Sequence, residues 1–189
     1  MSDAVFFIGG YHASQHDIDA WLRSARVQEP TVDFYGYPWP KGASAGAHSA
    51  VSHFQKDGTY DSVIDEIQGA GADTVYVVGH SSGCAIANAV DAGLEWTENV
   101  VLVALDGFRP SDDQLDRETT QVWGAKCGHV HSRNYPGISK NRRRIYEAHS
   151  CKTEWALHFS LVNANATDTI VPSIAKGYTN CKANLCFLT

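Results

Sequence analysis

No stretch of this chain approaches the roughly 20 consecutive apolar residues that cross a bilayer, so a membrane span is not expected. The opening residues Met1-Ser2-Asp3-Ala4 run straight into an apolar segment, without the basic region and long apolar core of a secretory leader. Cysteine is scarce and odd in number, five residues scattered along the sequence, which fits a reducing compartment better than a disulfide framework. A cytoplasmic protein is therefore expected, with a Cys181–Cys186 bridge left open and the Asn165-Ala166-Thr167 sequon given little weight. Basic residues do not gather into a face. Arg142-Arg143-Arg144 reads as a strand start or loop, and the net charge of −6 with a pI near 5.8 speaks against a nucleic-acid partner. Internal repeats and low-complexity segments are absent too.

What remains is an ordinary globular composition, 43% hydrophobic and 11% aromatic over 189 residues. That suffices for one good core, so a single domain over residues 1–189 is expected. Continuous apolar runs alternate with amphipathic stretches. Ala4–Ile8 reads as a buried strand ended by Gly9-Gly10-Tyr11-His12. In the helix that follows, Ser14 and Asp17 form a capping box, and Ile18, Trp21, Leu22 and Ala25 recur at helical spacing. Thr31–Tyr35 reads as a second strand, opening into an irregular Pro/Gly/aromatic loop over Gly36–Gly42. Ala47–Gln68 reads as helix broken at Asp57-Gly58, with Val63, Ile64 and Ile67 on the buried face of its second part. Thr74–Gly79 and Asn99–Leu105 are further buried strands.

Beyond Leu105 the pattern weakens. Residues 108–120 read as an exposed acidic excursion, Gln121–Cys127 as a weak strand, Tyr135-Pro136-Gly137 as a turn and Arg143–Ala148 as a strand ending at His149. Lys152–Asn163 fits helix or strand, and Thr169–Asn184 reads as helix. Strands that are apolar throughout and alternate with helices predict the α/β class: a three-layer α/β/α sandwich with a mostly parallel sheet. Ligands then bind beyond the carboxyl ends of the strands, where this chain carries Gly10-Tyr11-His12, Gly36-Tyr37, Ser81, Asp106, His129 and His149.

One of those ends is distinctive. Gly79-His80-Ser81-Ser82-Gly83 matches G-x-S-x-G, with a strand before it and the small-residue run Cys84–Val90 after it. Strand, sharp turn and helix are the setting of a nucleophile elbow. The turn forces the serine into a strained backbone conformation, and glycines on either side let strand and helix approach. Ser81 would then present its Oγ, with the Ser82 amide aimed at a developing oxyanion.

Serine needs a base, and the base needs an acid. In the order Ser, acid, His, the candidates are Asp106 at the end of the next strand and His149 at the end of the last. Asp106 reads equally as a turn aspartate before Gly107, and His149 as a surface histidine. His158 and Asp168 are the alternatives, although no histidine follows Asp168 to complete that order. Gly10 and Tyr11, after the first strand, are placed to give the second oxyanion amide. His12 stands at the mouth, and Tyr37, Trp39 and Phe108 would wall an aromatic acyl pocket or simply pack.

In these residues the chain resembles the α/β-hydrolase superfamily. In size and in Gly79–Gly83 it is similar to the small lidless serine hydrolases of the retinoblastoma-binding-protein type. The resemblance runs from Ala4 to about Gly107 and is thin beyond. It implies a minimal α/β-hydrolase-like fold that hydrolyses a small ester, thioester or amide through an acyl-enzyme, without a cofactor. Those relatives carry the acid one strand later than Asp106 and the histidine near the chain end, whereas here no histidine follows His158. Two other readings stand beside this one. A hydrolase-like domain can bind without catalysing. Alternatively, Cys127-x-His129-x-His131 and His149-x-Cys151 would each present metal ligands on one face if both were strands, and would converge if those strands were neighbours.

Overall fold

The first apolar run is buried at every position from Ala4 to Ile8, which requires cover on both faces of the strand. The computed structural model describes residues 2–44, 46–94, 99–105, 129–134, 144–149, 162–164, 182–185 and 187–188, of which 129–134 and 144–149 by their backbone alone. Its strands are β1 (Asp3–Ile8), β2 (Asp33–Tyr37), β3 (Thr74–His80), β4 (Val100–Leu105), β5 (His129–Asn134) and β6 (Arg144–His149). Its helices are α1 (Gln15–Gln28), α2 (Ala47–Lys56), α3 (Thr59–Gly69) and α4 (Gly83–Gly93). The sheet order is β2-β1-β3-β4-β6-β5. Every pairing from β2 to β6 is parallel, and β5 closes the edge antiparallel to β6.

Side chains alternate across this sheet into two cores. Val5, Phe7, Tyr76, Val78, Val101 and Val103 face α1, whose Ile18, Trp21, Leu22 and Ala25 complete that layer. Phe6, Ile8, Val75, Val77, Val100 and Leu102 face the other way, toward Phe54 of α2, Val63 and Ile67 of α3, and Ile86 and Val90 of α4. The fold is an α/β three-layer sandwich. The capping box forms as expected: the Asp17 amide donates to Ser14 Oγ (3.3 Å) and the Ser14 amide to Asp17 Oδ2 (2.8 Å). The break at Asp57-Gly58 also forms, with Gly58 at φ +80°. Among the described residues no helix is long and apolar enough to cross a membrane.

Three expectations need correction. The second strand lies two residues later than the propensities indicate, so Gly36 and Tyr37 belong to β2 and not to the loop. Gly36 is a packing residue: a Cβ there would run into Ile18 Cγ2 and stand 3.1 Å from Leu22 Cδ1, so α1 can lie on β2 only over glycine. His129 begins a strand instead of ending one; the antiparallel pairing still carries it to the edge where β6 ends, opposite His149. The helix expected over Thr169–Asn184 does not include its last residues, because Ala183 bridges Asn163 in extended pairing. Helix α1 fixes that backbone, with Ser24 Oγ accepting from the Ala183 amide (2.9 Å) and Gln28 Nε2 donating to the Ala183 carbonyl (2.9 Å). Trp21 Nε1 donates to the Val162 carbonyl at 3.0 Å, so both ends of the bridge are tied to one helix. Expectations for residues 108–127, 135–137, 152–161 and 169–181 and for Cys186 lie outside the described residues.

Candidate active site

Strand β3 is paired on both sides, by β1 and β4, and has no freedom to shift where it ends. Immediately beyond it Ser81 takes φ +55°, the left-handed region that costs a residue bearing a Cβ about 1–2 kcal/mol. The described residues include two other left-handed residues besides glycine, His12 and Asn99. Asparagine tolerates that region; Ser81 and His12 are held there by their surroundings, and both stand at the carboxyl edge of the sheet. The Ser81 amide donates to the Leu105 carbonyl at 2.9 Å, which clamps the turn to the end of β4.

The flanking glycines are required by contact. A Cβ on Gly79 would meet Cys84 Cα at 2.5 Å and Cys84 N at 2.7 Å, because α4 folds straight back onto its own strand. A Cβ on Gly83 would meet the Gly9 carbonyl oxygen at 2.5 Å and that of Ile8 at 2.7 Å, because the start of α4 rests on the end of β1. Helix α4 can begin at this height only with both glycines. Ser82, its N-cap, and Gly83 precede any intrahelical acceptor, so the helix start is a source of amide donors and positive potential beside Ser81.

The loop after β1 closes the opposite side. A Cβ on Gly10 would lie 2.9 Å from Ser81 Cβ and 2.9 Å from the His80 carbonyl oxygen. This loop is pinned at several points. The Gly9 amide donates to the Tyr37 carbonyl (3.0 Å), the Ala13 amide to that of Gly10 (2.9 Å), and the Trp39 amide to that of Ala13 (2.9 Å). The sequence-derived candidates Gly10, Tyr11, Ser81 and Ser82 therefore come together at one spot. Tyr11 lies between His12 (ring centroids 3.8 Å) and Trp39 (5.6 Å, edge to face). Trp39 is buried, its indole N–H donating to the Ala43 carbonyl at 3.2 Å, whereas His12 is exposed.

Tyr37 faces elsewhere. Its hydroxyl donates to Glu66 Oε2 on α3 at 2.6 Å, and its ring meets Phe54 edge to face. Burial, then the hydrogen bond to Glu66 and that carboxylate's charge, push its ionisation far above the ordinary tyrosine range. What Tyr37 has to offer a ligand is its ring, since the hydroxyl is committed.

The other candidates divide by position. His149 ends β6; the register sets Leu105 beside Ala148, so the His149 backbone lies one residue beyond the rung that holds the Ser81 amide. Two strand spacings separate it from Ser81, about 10 Å. His129 and His131 lie in β5, the neighbour of β6. Asp106, Phe108, Cys127, Cys151, His158 and Asp168 lie outside the described residues. Among described side chains no group of three or more His, Cys, Asp or Glu could hold a metal ion. Sequence reasoning passed over His80 and Cys84. His80 is buried with Nδ1 near Gly10, and the Cys84 thiol donates to the Gly79 carbonyl at 3.1 Å, so both pack the elbow from within. Their places inside and next to the glycine motif were the available signal. No protein-family model matches the chain, and no curated protein matches it.

Proposed function

We propose that this protein is a serine hydrolase of the α/β-hydrolase kind, cleaving a small ester, thioester or amide through an acyl-enzyme on Ser81. The observation that carries the reading is the strained backbone of Ser81 at the β3–α4 turn, with the Gly10 backbone packed against it. A fold tolerates left-handed serine at the mouth of a sheet when something is gained there, and a nucleophile held beside backbone amide donors is the usual gain; Ser81 itself is buried, 5% exposed, so substrate would have to reach it through the mouth lined by Tyr11 and His12.

In the mechanism proposed, His149 takes the proton from Ser81 Oγ as the oxygen attacks the acyl carbon. Asp106 orients the imidazole and stabilises its charged form. The Ser82 amide and that of Tyr11 or Gly10 hold the oxyanion, in a site organised before substrate arrives. The imidazolium then protonates the leaving group, and water repeats the sequence on the acyl-enzyme. The spacing of about 10 Å between the Ser81 and His149 backbones is one that a serine and a histidine side chain joined by a hydrogen bond can span. His158 and Asp168 are the substitutes if that pairing fails. Tyr11 and Trp39 favour an aromatic or flat acyl group near the mouth. No cofactor enters the mechanism. The buried Cys84 thiol fits a reducing, cytoplasmic setting.

Hydrolysis of p-nitrophenyl esters of graded acyl size tests this. Turnover by the wild type that falls on the order of 10³-fold in Ser81→Ala, and further than tenfold in His149→Ala, is expected. Turnover unchanged in Ser81→Ala would remove the mechanism, and loss in His158→Ala in place of His149→Ala would move the base.

A further inference from the structure

Strand β3 ends in a residue that the proposed mechanism leaves unused. His80 is 1% exposed and directly precedes Ser81. Tyr76 and Val78 of β3 pack into the layer under α1, and strand alternation puts His80 on that same face. Its register partner agrees, since Leu105, opposite His80, belongs to that layer too. An imidazole thus stands at the top of a core lined by Ile18, Trp21, Val78 and Val103. Leucine would fill such a place without the desolvation that a buried polar ring suffers.

What the ring meets is the loop after β1. A Cβ on Gly10 would lie 3.4 Å from His80 Nδ1, and 2.9 Å from both the His80 carbonyl oxygen and Ser81 Cβ. The loop is held from its far side by the Gly9 amide on the Tyr37 carbonyl, and across its own turn by the Ala13 amide on the Gly10 carbonyl. Neither bond fixes how closely Gly10 approaches Ser81. His80 does, because its carbonyl and its ring together form the floor under Gly10.

We infer that His80 is a positioning residue for the reaction: its imidazole sets the height of the Gly10 backbone over Ser81, and so the place of the loop amide that receives the oxyanion. The inference rests on the hydrolase reading of Ser81. A flat ring with a nitrogen at the contact supports a peptide group by shape and polarity, where leucine would offer shape alone. Without the ring the loop can settle, and a displaced donor no longer meets the oxyanion of the transition state although substrate still binds. The signature is a loss in kcat with KM little changed.

The test is steady-state hydrolysis of a p-nitrophenyl ester by wild type, His80→Ala, His80→Leu and His80→Asn, each shown by circular dichroism to be folded. Inhibition by a trifluoromethyl ketone bearing the same acyl group, which adds Ser81 and carries an oxyanion, is measured beside inhibition by the product acid. His80→Ala and His80→Leu are expected to lose kcat by about 10²-fold, the effect of one oxyanion donor, with KM changed less than about threefold. The ketone should weaken by a similar factor and the product acid should not. His80→Asn, whose side-chain amide can stand where Nδ1 does, should keep kcat within about tenfold of wild type. Combined with Gly10→Ala, His80→Leu should cost less than the product of the two single effects, because both act on one contact. Wild-type kcat in folded His80→Leu would overturn the inference and leave Ser81 chemistry standing, and so would equal weakening of ketone and product acid. Absence of wild-type turnover and of phosphonylation at Ser81 would remove the hydrolase reading itself, and the inference with it.

Discussion

Gly10 touches Ser81: a methyl group at Gly10 would stand 2.9 Å from Ser81 Cβ, closer than side-chain carbons approach each other. The loop after β1 and the turn after β3 are thus one piece of structure, although 71 residues of sequence separate the two positions. On the proposed mechanism that contact aligns the second oxyanion amide with the nucleophile.

Gly10→Ala tests the alignment. The added methyl meets the His80 carbonyl as well as Ser81, and backbone cannot yield as a flexible side chain can. The expected outcome is a folded protein, destabilised by about 1–3 kcal/mol, whose esterase turnover falls by a factor on the order of 10². Denaturant melts and p-nitrophenyl ester assays read the two effects separately. Turnover equal to wild type would mean the loop does not serve the oxyanion.

Glycine positions elsewhere should divide by what surrounds them. At Gly79 a Cβ would meet the backbone of Cys84 at 2.5 Å, so Gly79→Ala is expected to lower stability by several kcal/mol, on the order of 3 or more, or to prevent folding. At Gly69, in the last position of α3, nothing lies within 4 Å. Gly69→Ala should be neutral or stabilise by up to about 1 kcal/mol, through helix propensity and a less flexible unfolded chain. Thermal unfolding of the two variants in parallel checks the contrast.

Tyr37 supplies a pH dependence whose sign follows from its environment. Burial and Glu66 raise its pKa above the value of about 10 that it has in the unfolded chain. The folded state therefore holds the phenolic proton more tightly. The resulting stability is fully present below about pH 10 and declines as pH rises beyond it. Tyr37→Phe should remove this part of the alkaline loss and leave a flatter profile between pH 9 and 11. Stability measured by urea unfolding across that range would show it; identical slopes for both proteins would contradict the assignment.

Much of the first hundred residues was legible in the sequence because local and tertiary preferences agree there. The Ser14–Asp17 capping box, the α1 stripe of Ile18, Trp21, Leu22 and Ala25, and the break at Gly58 each follow from short-range chemistry that the fold leaves intact. The G-x-S-x-G turn was legible for the same reason: strand, glycines and helix are contiguous. Gly36 was misread because its glycine answers to Ile18 and Leu22, side chains 18 and 14 positions earlier, and not to a turn. The bridge at Ala183 was hidden in the same way, since α1 side chains far away in sequence hold it. Strand β5 was obscured by its own composition. His129, His131 and Arg133 fall on one face and make the segment polar, so no apolar alternation marked it. Pairing with β6 is what makes it a strand.

Every step of the proposed mechanism depends on Ser81 being an activated nucleophile. The most direct measurement is intact-protein and peptide mass spectrometry after exposure to a fluorophosphonate at neutral pH. A single phosphonyl adduct on the Gly79–Gly83 peptide, located at Ser81 and absent from Ser81→Ala and from heat-unfolded protein, is the result predicted. An unmodified wild type under conditions that fully label a known serine esterase would contradict it.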